Sequence, residues 1–439
     1  MKGHAKIELT NVKTGEVEVI EEDNLITNAA QIYVSLCSTA YSRGVNGNVD
    51  LSPLWDSVFG GIKLFGSKLT EDANNYELPN IGTTPIIGYA SSNTTPGTDK
   101  LRGSRNILET KSIENGVQIV WDFATSEANG QIACVCLTSR EAGTNAFVFR
   151  NPSLFLYTLY YSSKDWVVDF DAENETITTL GYYTPHSKKK YRFPTKNIRL
   201  DEKLMELNLL EETTLESGMA VQKFKNGGDG NLYRLKDKTD TTITLEKFNL
   251  QTDALSDVVL NIQNIRCLGP SYYAYDMQDG YLYVMKSSLD GYYRINMANS
   301  SDVKQVDLPK FGNYNSMNHH ITTLINGNIL IDGYISDPES GNYHVVCSDY
   351  NISGGSIYGG SLQSSSSRNS IKMGYFAGNG YEIFNEYTDN TDYAPERGCI
   401  VVSGNNLMSI NNLQTPVVKT ADKTMKITYT LLYENEVTV

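Results

Sequence analysis

The chain has 439 residues, with 37 Lys plus Arg against 51 Asp plus Glu, and a formal charge of -14 at neutral pH. That balance argues against a nucleic-acid partner, because phosphate binding is won by clustered cations that release counterions. With 40% hydrophobic and 20% charged residues the chain can bury a core, but no apolar run of about eighteen residues occurs, so no membrane insertion is expected.

The N-terminus, MKGHAKIELT, has no apolar stretch of the kind a secretory signal needs. Synthesis in a cytoplasm, with exit by lysis if at all, is the expectation. Ala5, Ile7 and Leu9 alternate with polar residues, a turn spans Asn11 to Gly15, and Val17 and Val19 resume the alternation, which predicts a hairpin. From Thr27 to Ala40 the period changes, and Ala30, Ile32, Tyr33, Leu36 and Cys37 suit a helical stripe capped by Thr27 or Asn28. Ser52-Pro53 opens a second short helix closed by Gly60-Gly61. Strands follow at Ile62 to Phe65, Pro85 to Tyr89, Val117 to Phe123 and Gln131 to Thr138, which together predict a small, mostly antiparallel sandwich. Far downstream, Met425 to Leu432 alternates again. A lone strand cannot satisfy its own backbone groups, so it is expected to pair with the N-terminal strands, making residues 1–148 and 417–439 one discontinuous domain.

Residues 149–416 carry a repeat. Asp229-Gly230, Asp279-Gly280, Asn326-Gly327 and Asn379-Gly380 recur at intervals of about fifty residues, each between two apolar strands. Asp/Asn-Gly suits a hairpin turn that needs positive φ. Third strands are expected at TITLEKF, YYRINM, YHVVCSDY and CIVVSG, fourth strands at DVVLNI and VKQVDL, and an earlier copy from Leu154. Four antiparallel strands at this period predict a β-propeller of five or six blades. The fold expected is therefore all-β, a propeller inserted in a discontinuous β-sandwich with one or two short helices. The acidic run from Asp201 to Glu216 and the basic run Lys188 to Lys190 read as a solvated excursion between blades.

Signatures of catalysis are missing. There is no G-x-S-x-G elbow, phosphate-binding loop or H-E-x-x-H helix. His319 and His320, as strand neighbours, face opposite ways, and Cys134 and Cys136 read as reduced, buried thiols, so no metal or cofactor is expected. Asp276, Asp332 and Asp349 could supply the carboxylates of a propeller glycosidase, but acids are plentiful and the expectation is no enzyme. Tyrosine is the positive feature, with 29 residues against 13 Phe. In pairs such as Tyr160-Tyr161, Tyr272-Tyr273 and Tyr292-Tyr293, one ring of each faces away from the packing side. These six and Trp166 are the candidate contacts for a ligand, since such rings stack on sugars and suit wet protein interfaces.

KGHAKIELTNVKTGEVEVIEEDNLITNA, GGIKLF from Gly60, IIGYAS from Ile86, LRGSRN from Leu101, VQIVWDFATSEANGQIACVCLTS from Val117 and KTADKTMKITYTLLYE near the end resemble virion tail proteins of bacteriophages infecting Gram-positive hosts. The resemblance lies at the two chain ends, and the centre reads as a variable insert. It implies a structural tail component of fibre, baseplate or collar type, located in the virion and present as a homo-oligomer. The sandwich would then contact other virion proteins, and the propeller would attach to a host cell-wall glycan or surface protein. Two other classes stay open: a structural part whose propeller only packs on neighbouring subunits, and a glycan depolymerase.

Overall fold

The computed structural model describes residues 2–30, 54–95, 99–144, 155–159, 165–181, 185–192, 208–215, 224–265, 275–310, 321–323, 327–331, 334–345, 356–357, 360–361, 370–378, 381–387, 397–402 and 407–432, less 75, 77, 81, 141, 172 and 240. Alternation is obeyed where it is strongest. Ala5, Ile7 and Leu9 in Lys2–Asn11 are buried, and each lies beside an inward residue of Lys423–Leu432: Tyr429, Ile427 and Met425. On its other side Lys423–Leu432 pairs with Gly116–Phe123, setting Ile427 against Trp121. The C-terminal strand is thus central in a sheet begun at the N-terminus. Ile7, Leu9, Met425 and Ile427, fully buried, contribute about 1.5–3 kcal/mol each, and the Ala5 methyl about half the lower figure.

Hydrogen bonding runs in the order Ile86–Ala90, Gly61–Phe65, Gly130–Thr138, Ser409–Lys419, Val17–Ile26, Lys2–Asn11, Lys423–Leu432, Gly116–Phe123, Ser104–Arg105, with Lys111–Ile113 also on Gly116–Phe123. The two layers of the sandwich are therefore one sheet, curled until its ends meet. Tyr89 donates its N–H to Leu101 O at 2.9 Å and accepts from Gly103 N–H at 2.9 Å, next to the far end of the path. Trp121 fills the interior, its Nε1 donating to Ser91 O at 3.1 Å and the Arg105 guanidinium lying 5.0 Å from its ring. Ser409–Lys419 is a strand of this barrel, so the domain resumes before residue 417, at about the buried Leu407 and Met408. Helix Leu54–Phe59 forms where expected, and of the first predicted segment only Thr27 to Ala30 lies within the described residues, helical from Asn28.

Among the described residues the centre forms five sheets arranged as blades. Blade 1 is Asp165–Asp171, Thr176–Gly181, Ser187–Arg192 and Asn208–Thr214; blade 2 is Lys225–Asn226, Asn231–Lys238, Thr242–Asn249 and Leu255–Asn261. Blade 3 is Tyr275–Gln278, Tyr281–Met285, Gly291–Asn296 and Val303–Asp307, and blade 4 is Ile321–Thr323, Ile329–Ile331, Tyr334–Ser336 and Tyr343–Val345. Blade 5 is Ser370–Gly378, Tyr381–Tyr387 and Arg397–Val402, with Phe155–Leu159 as its last strand and two short strands, Ser356–Ile357 and Gly360–Ser361, on the other side. The strand from the start of the insert thus completes the blade at its end. This removes the open edges a linear array would leave.

Three expectations need correction. Phe155–Leu159 does not begin a blade of its own copy but closes blade 5. Tyr343–Val345 is the fourth strand of blade 4; its third is the short Tyr334–Ser336, which propensity does not flag. Lys188 to Lys190 and the described part of the acidic run, 208–215, are no excursion either; the rest of that run lies outside the described residues. Ser187–Arg192 pairs with Asn208–Thr214, putting Lys189 opposite Glu212 and Lys190 opposite Glu211, and opposite charges across strands stabilise the outer edge of blade 1. The Asp279-Gly280 turn has both residues at positive φ (51° and 78°), as a type I′ hairpin demands, whereas at Asp229-Gly230 only the glycine (φ 78°) does.

Candidate functional site: a polar hub and a tyrosine seam

The innermost strands are tied to one another by side chains. Asn226 of blade 2 donates to Asp169 Oδ1 of blade 1 at 2.6 Å and to Val168 O at 3.2 Å. Lys225, its neighbour, reaches Asp276 Oδ1 of blade 3 at 3.1 Å. The other oxygen of Asp276 accepts from Thr323 of blade 4 twice, from N–H at 2.9 Å and from Oγ1 at 3.1 Å. Four consecutive blades are thereby linked through a belt around the hub. Asp276 is buried, and both of its oxygens are used in these contacts between blades. Asp332 and Asp349 lie outside the described residues. Among those described, no three of His, Cys, Asp and Glu converge to hold a metal ion.

Removing one partner of a buried ion pair strands the other. Asp276→Ala is therefore expected to cost about 3–5 kcal/mol in urea-induced unfolding, with Asp276→Asn recovering part of it through the Thr323 bonds. Equal stability of Asp276→Ala and the parent would show that the belt carries no load.

The tyrosines meet at the seam between blades 3 and 4. Tyr292 is 0% exposed, its OH 3.1 Å from Ser336 Oγ of the next blade and its ring 6.2 Å from that of Tyr283. Burial pushes the Tyr283 phenol up to about 12 and Tyr292 higher still. Tyr292 therefore leaves the set of ligand contacts, because blade packing uses the whole ring. Tyr293, on the opposite face, is half-buried against the apolar cluster of blades 2 and 3. Trp166 lies on the inner strand of blade 1, opposite Leu180. Tyr160, Tyr161, Tyr272 and Tyr273 lie outside the described residues.

Other rings line the outer part of this seam. Tyr343 is 42% exposed and sits edge-on to Tyr334 at 5.8 Å. Tyr281 carries the Arg294 guanidinium over its face at 4.0 Å, and Arg294 is held by Glu339 at 2.7 Å from the 337–342 turn of blade 4. That turn is itself fixed by Asp337, whose carboxylate accepts from the Ser340 hydroxyl at 2.5 Å and from the N–H groups of Glu339 at 3.1 Å and Ser340 at 3.0 Å; against burial, which raises it, these bonds, the hydroxyl's first, hold its pKa below the usual carboxylate range. The arrangement offers a flat aromatic face, a cation and a carboxylate within one seam. None of its rings belongs to a tyrosine pair. Tyr281 and Tyr343 are single residues entering strands just after Gly280 and after Gly341-Asn342, the second strand of blade 3 and the fourth of blade 4, so neither pairing nor a shared repeat position singles them out.

No protein-family model matches the sequence, and no curated protein matches it either. Among solved structures, similar ones include an uncharacterised protein of Listeria monocytogenes (8% identity, 56% of this chain and 68% of that one, TM-score 0.22). Puromycin hydrolase (9% identity, 87% of this chain and 57% of that one, TM-score 0.26) is another. A third is the β-propeller domain of the Trilobed protease from Pyrococcus furiosus (9% identity, 68% and 93%, TM-score 0.22). The chain spans little more than half the length of the hydrolase, and none of these three is a virion protein by name. At such identities and TM-scores the likenesses carry no inference about activity or partners. The class defined by the chain's own strand order is an all-β protein in which a propeller interrupts a discontinuous barrel.

Proposed function

We propose that this chain is a structural component of the tail of a bacteriophage of Gram-positive bacteria, held in the virion by its barrel and presenting its propeller to a host-surface glycan or protein. The observation that carries this reading is where the resembling segments fall. Those from the start, from Gly60, Ile86, Leu101 and Val117, and from the C-terminus are all strands or turns of the barrel, and none belongs to a blade. A shared anchoring domain with an unshared insert is what a particle component with its own attachment module requires. The reaction is adhesion without a catalytic step, and weak contacts would be multiplied by copy number, since avidity can exceed single-site affinity by about two to four orders of magnitude.

The test is retention of the purified full-length chain on intact cells and isolated wall polymer from a panel of Gram-positive bacteria. Retention on at least one strain is expected, weakened about fivefold to tenfold by Tyr343→Ala or Tyr281→Ala, as loss of one aromatic anchor implies. Absence of retention on every strain and wall preparation would overturn the attachment reading. A second reading, a collar or baseplate part that only packs on neighbours, is favoured by one feature: in the barrel wall Val17–Ile26 pairs with Ser409–Lys419 only at Leu25 and Ile26.

A further inference from the structure

The barrel sheet is paired unevenly at one place. Val17–Ile26 pairs along its length with Lys2–Asn11 on one side, from Val17 to Asn24, but on the other it meets Ser409–Lys419 only through Leu25 with Ile410 and Ile26 with Ser409. Beyond that point the two strands part. The Ser409–Lys419 strand shifts register against Gly130–Thr138 between Asn412 and Val417, and Gln414, Thr415 and Pro416 are exposed. Proline there removes a donor from the facing edge. Among the described residues the remaining link across the opening is the N–H of Gln414 donating to Glu22 Oε1 at 3.0 Å.

Parity tells which backbone groups face the opening. The N–H of Asn11 donates to Glu16 O at 2.9 Å, so the even residues 16 to 24 direct their backbone groups toward Lys2–Asn11. The odd residues Val17, Val19, Glu21 and Asp23 direct theirs the other way, as Leu25 does in meeting Ile410. Val17 and Val19 are 54% and 48% exposed. An exposed row of such groups is a template for another strand.

Charge selects the occupant. Two copies meeting edge to edge would bring Glu18, Glu21, Glu22 and Asp23 of each into one seam, and the whole chain is already at -14. Lys423 lies 3.0 Å from Glu18, and Lys6 lies 4.0 Å from Glu21, yet both carboxylates stay half-exposed, and Asp23 is 94% exposed. We propose that this edge accepts an extended, lysine- or arginine-bearing segment of another protein as an added strand, its backbone pairing with Val17, Val19 and Glu21 and its cations meeting the acids. The inference goes beyond host attachment and stands or falls separately from it.

The experiment uses the full chain with a short synthetic peptide alternating Lys and Val, and its counterpart with Glu for Lys, read by fluorescence anisotropy and amide hydrogen exchange. The Lys peptide is expected to bind and to slow exchange at Val17, Val19 and Glu21, with the Glu peptide weaker by about tenfold or more. Val19→Pro removes only an outward-facing N–H and should abolish binding while the barrel melts unchanged. Should that variant fold poorly, Glu21→Lys must instead shift preference toward the Glu peptide. The proposal is overturned if the Lys peptide does not bind, if it binds without protecting these amides or equally well to Val19→Pro, or if Glu21→Lys leaves the preference unmoved. It is also overturned if the odd amides are already protected in the protein alone, which would mean the chain covers its own edge.

Discussion

Ile427→Asp is expected to leave the barrel unfolded at room temperature. Ile427 is fully buried in the central strand of the sheet, between Ile7 and Trp121. A carboxylate there would meet no donor, and an unpaired buried charge costs more than about 4 kcal/mol, comparable to the whole stability of many domains. Thr430→Asp, on the same strand but directed outward between His4 and Gln118, should change stability by less than about 1 kcal/mol. Circular dichroism melts of the two variants separate the outcomes. Similar melting of Ile427→Asp and the parent would mean that the C-terminal strand does not occupy this position.

Stability should climb as pH rises from about 7 toward 9, because of Lys63; above that the Cys136 thiol, which stays protonated in the folded chain and ionises in the unfolded one, works against the rise. This residue is 0% exposed in Gly61–Phe65, opposite Tyr89 on one side and Cys136 on the other, and burial lowers its pKa to about 7. Between that value and its ordinary 10.5, the unfolded chain holds the proton and the folded chain does not. Unfolding then takes up a proton, so raising the pH favours the folded state by up to about 1.4 kcal/mol per unit, or roughly 4–5 kcal/mol across the window. Below pH 7 the ammonium is confined in the barrel wall and the full penalty applies. Lys63→Met keeps the chain length and should flatten most of this rise in urea titrations at several pH values. A residual slope should persist from Lys419, whose pKa is lowered to about 8 where it is buried against Ala124 O, Thr125 O and Asn129 Oδ1. An unchanged slope in Lys63→Met would show that the amine is hydrated.

The alternation of Ala5, Ile7 and Leu9, and of Ile427, Tyr429 and Leu431, is legible because a strand with one buried face repeats every two residues whatever lies beyond it. The return of the C-terminal strand follows from its unsatisfied backbone alone. Cys134 and Cys136, two apart, stand on one face as their spacing requires, with Sγ atoms 3.5 Å apart and the Cys136 thiol pushed up by burial. By contrast, Lys63 sits in a segment whose five residues are all buried, and no local pattern distinguishes a lysine on a covered face from one on a wet face.

Period, hydropathy and backbone valence thus dictate the strongly alternating strands, that the centre repeats, and that the two ends belong together, but not strands such as Tyr334–Ser336 or Asn208–Thr214. Which strand completes which blade, which ring of Tyr292-Tyr293 is sealed, and that Lys188 to Lys190 run beside Glu211 and Glu212 are decided by contacts between segments far apart in the chain. Those depend on how blades pack and where the ring closes. A tyrosine pair looks the same in either orientation until the neighbouring blade covers one of its faces.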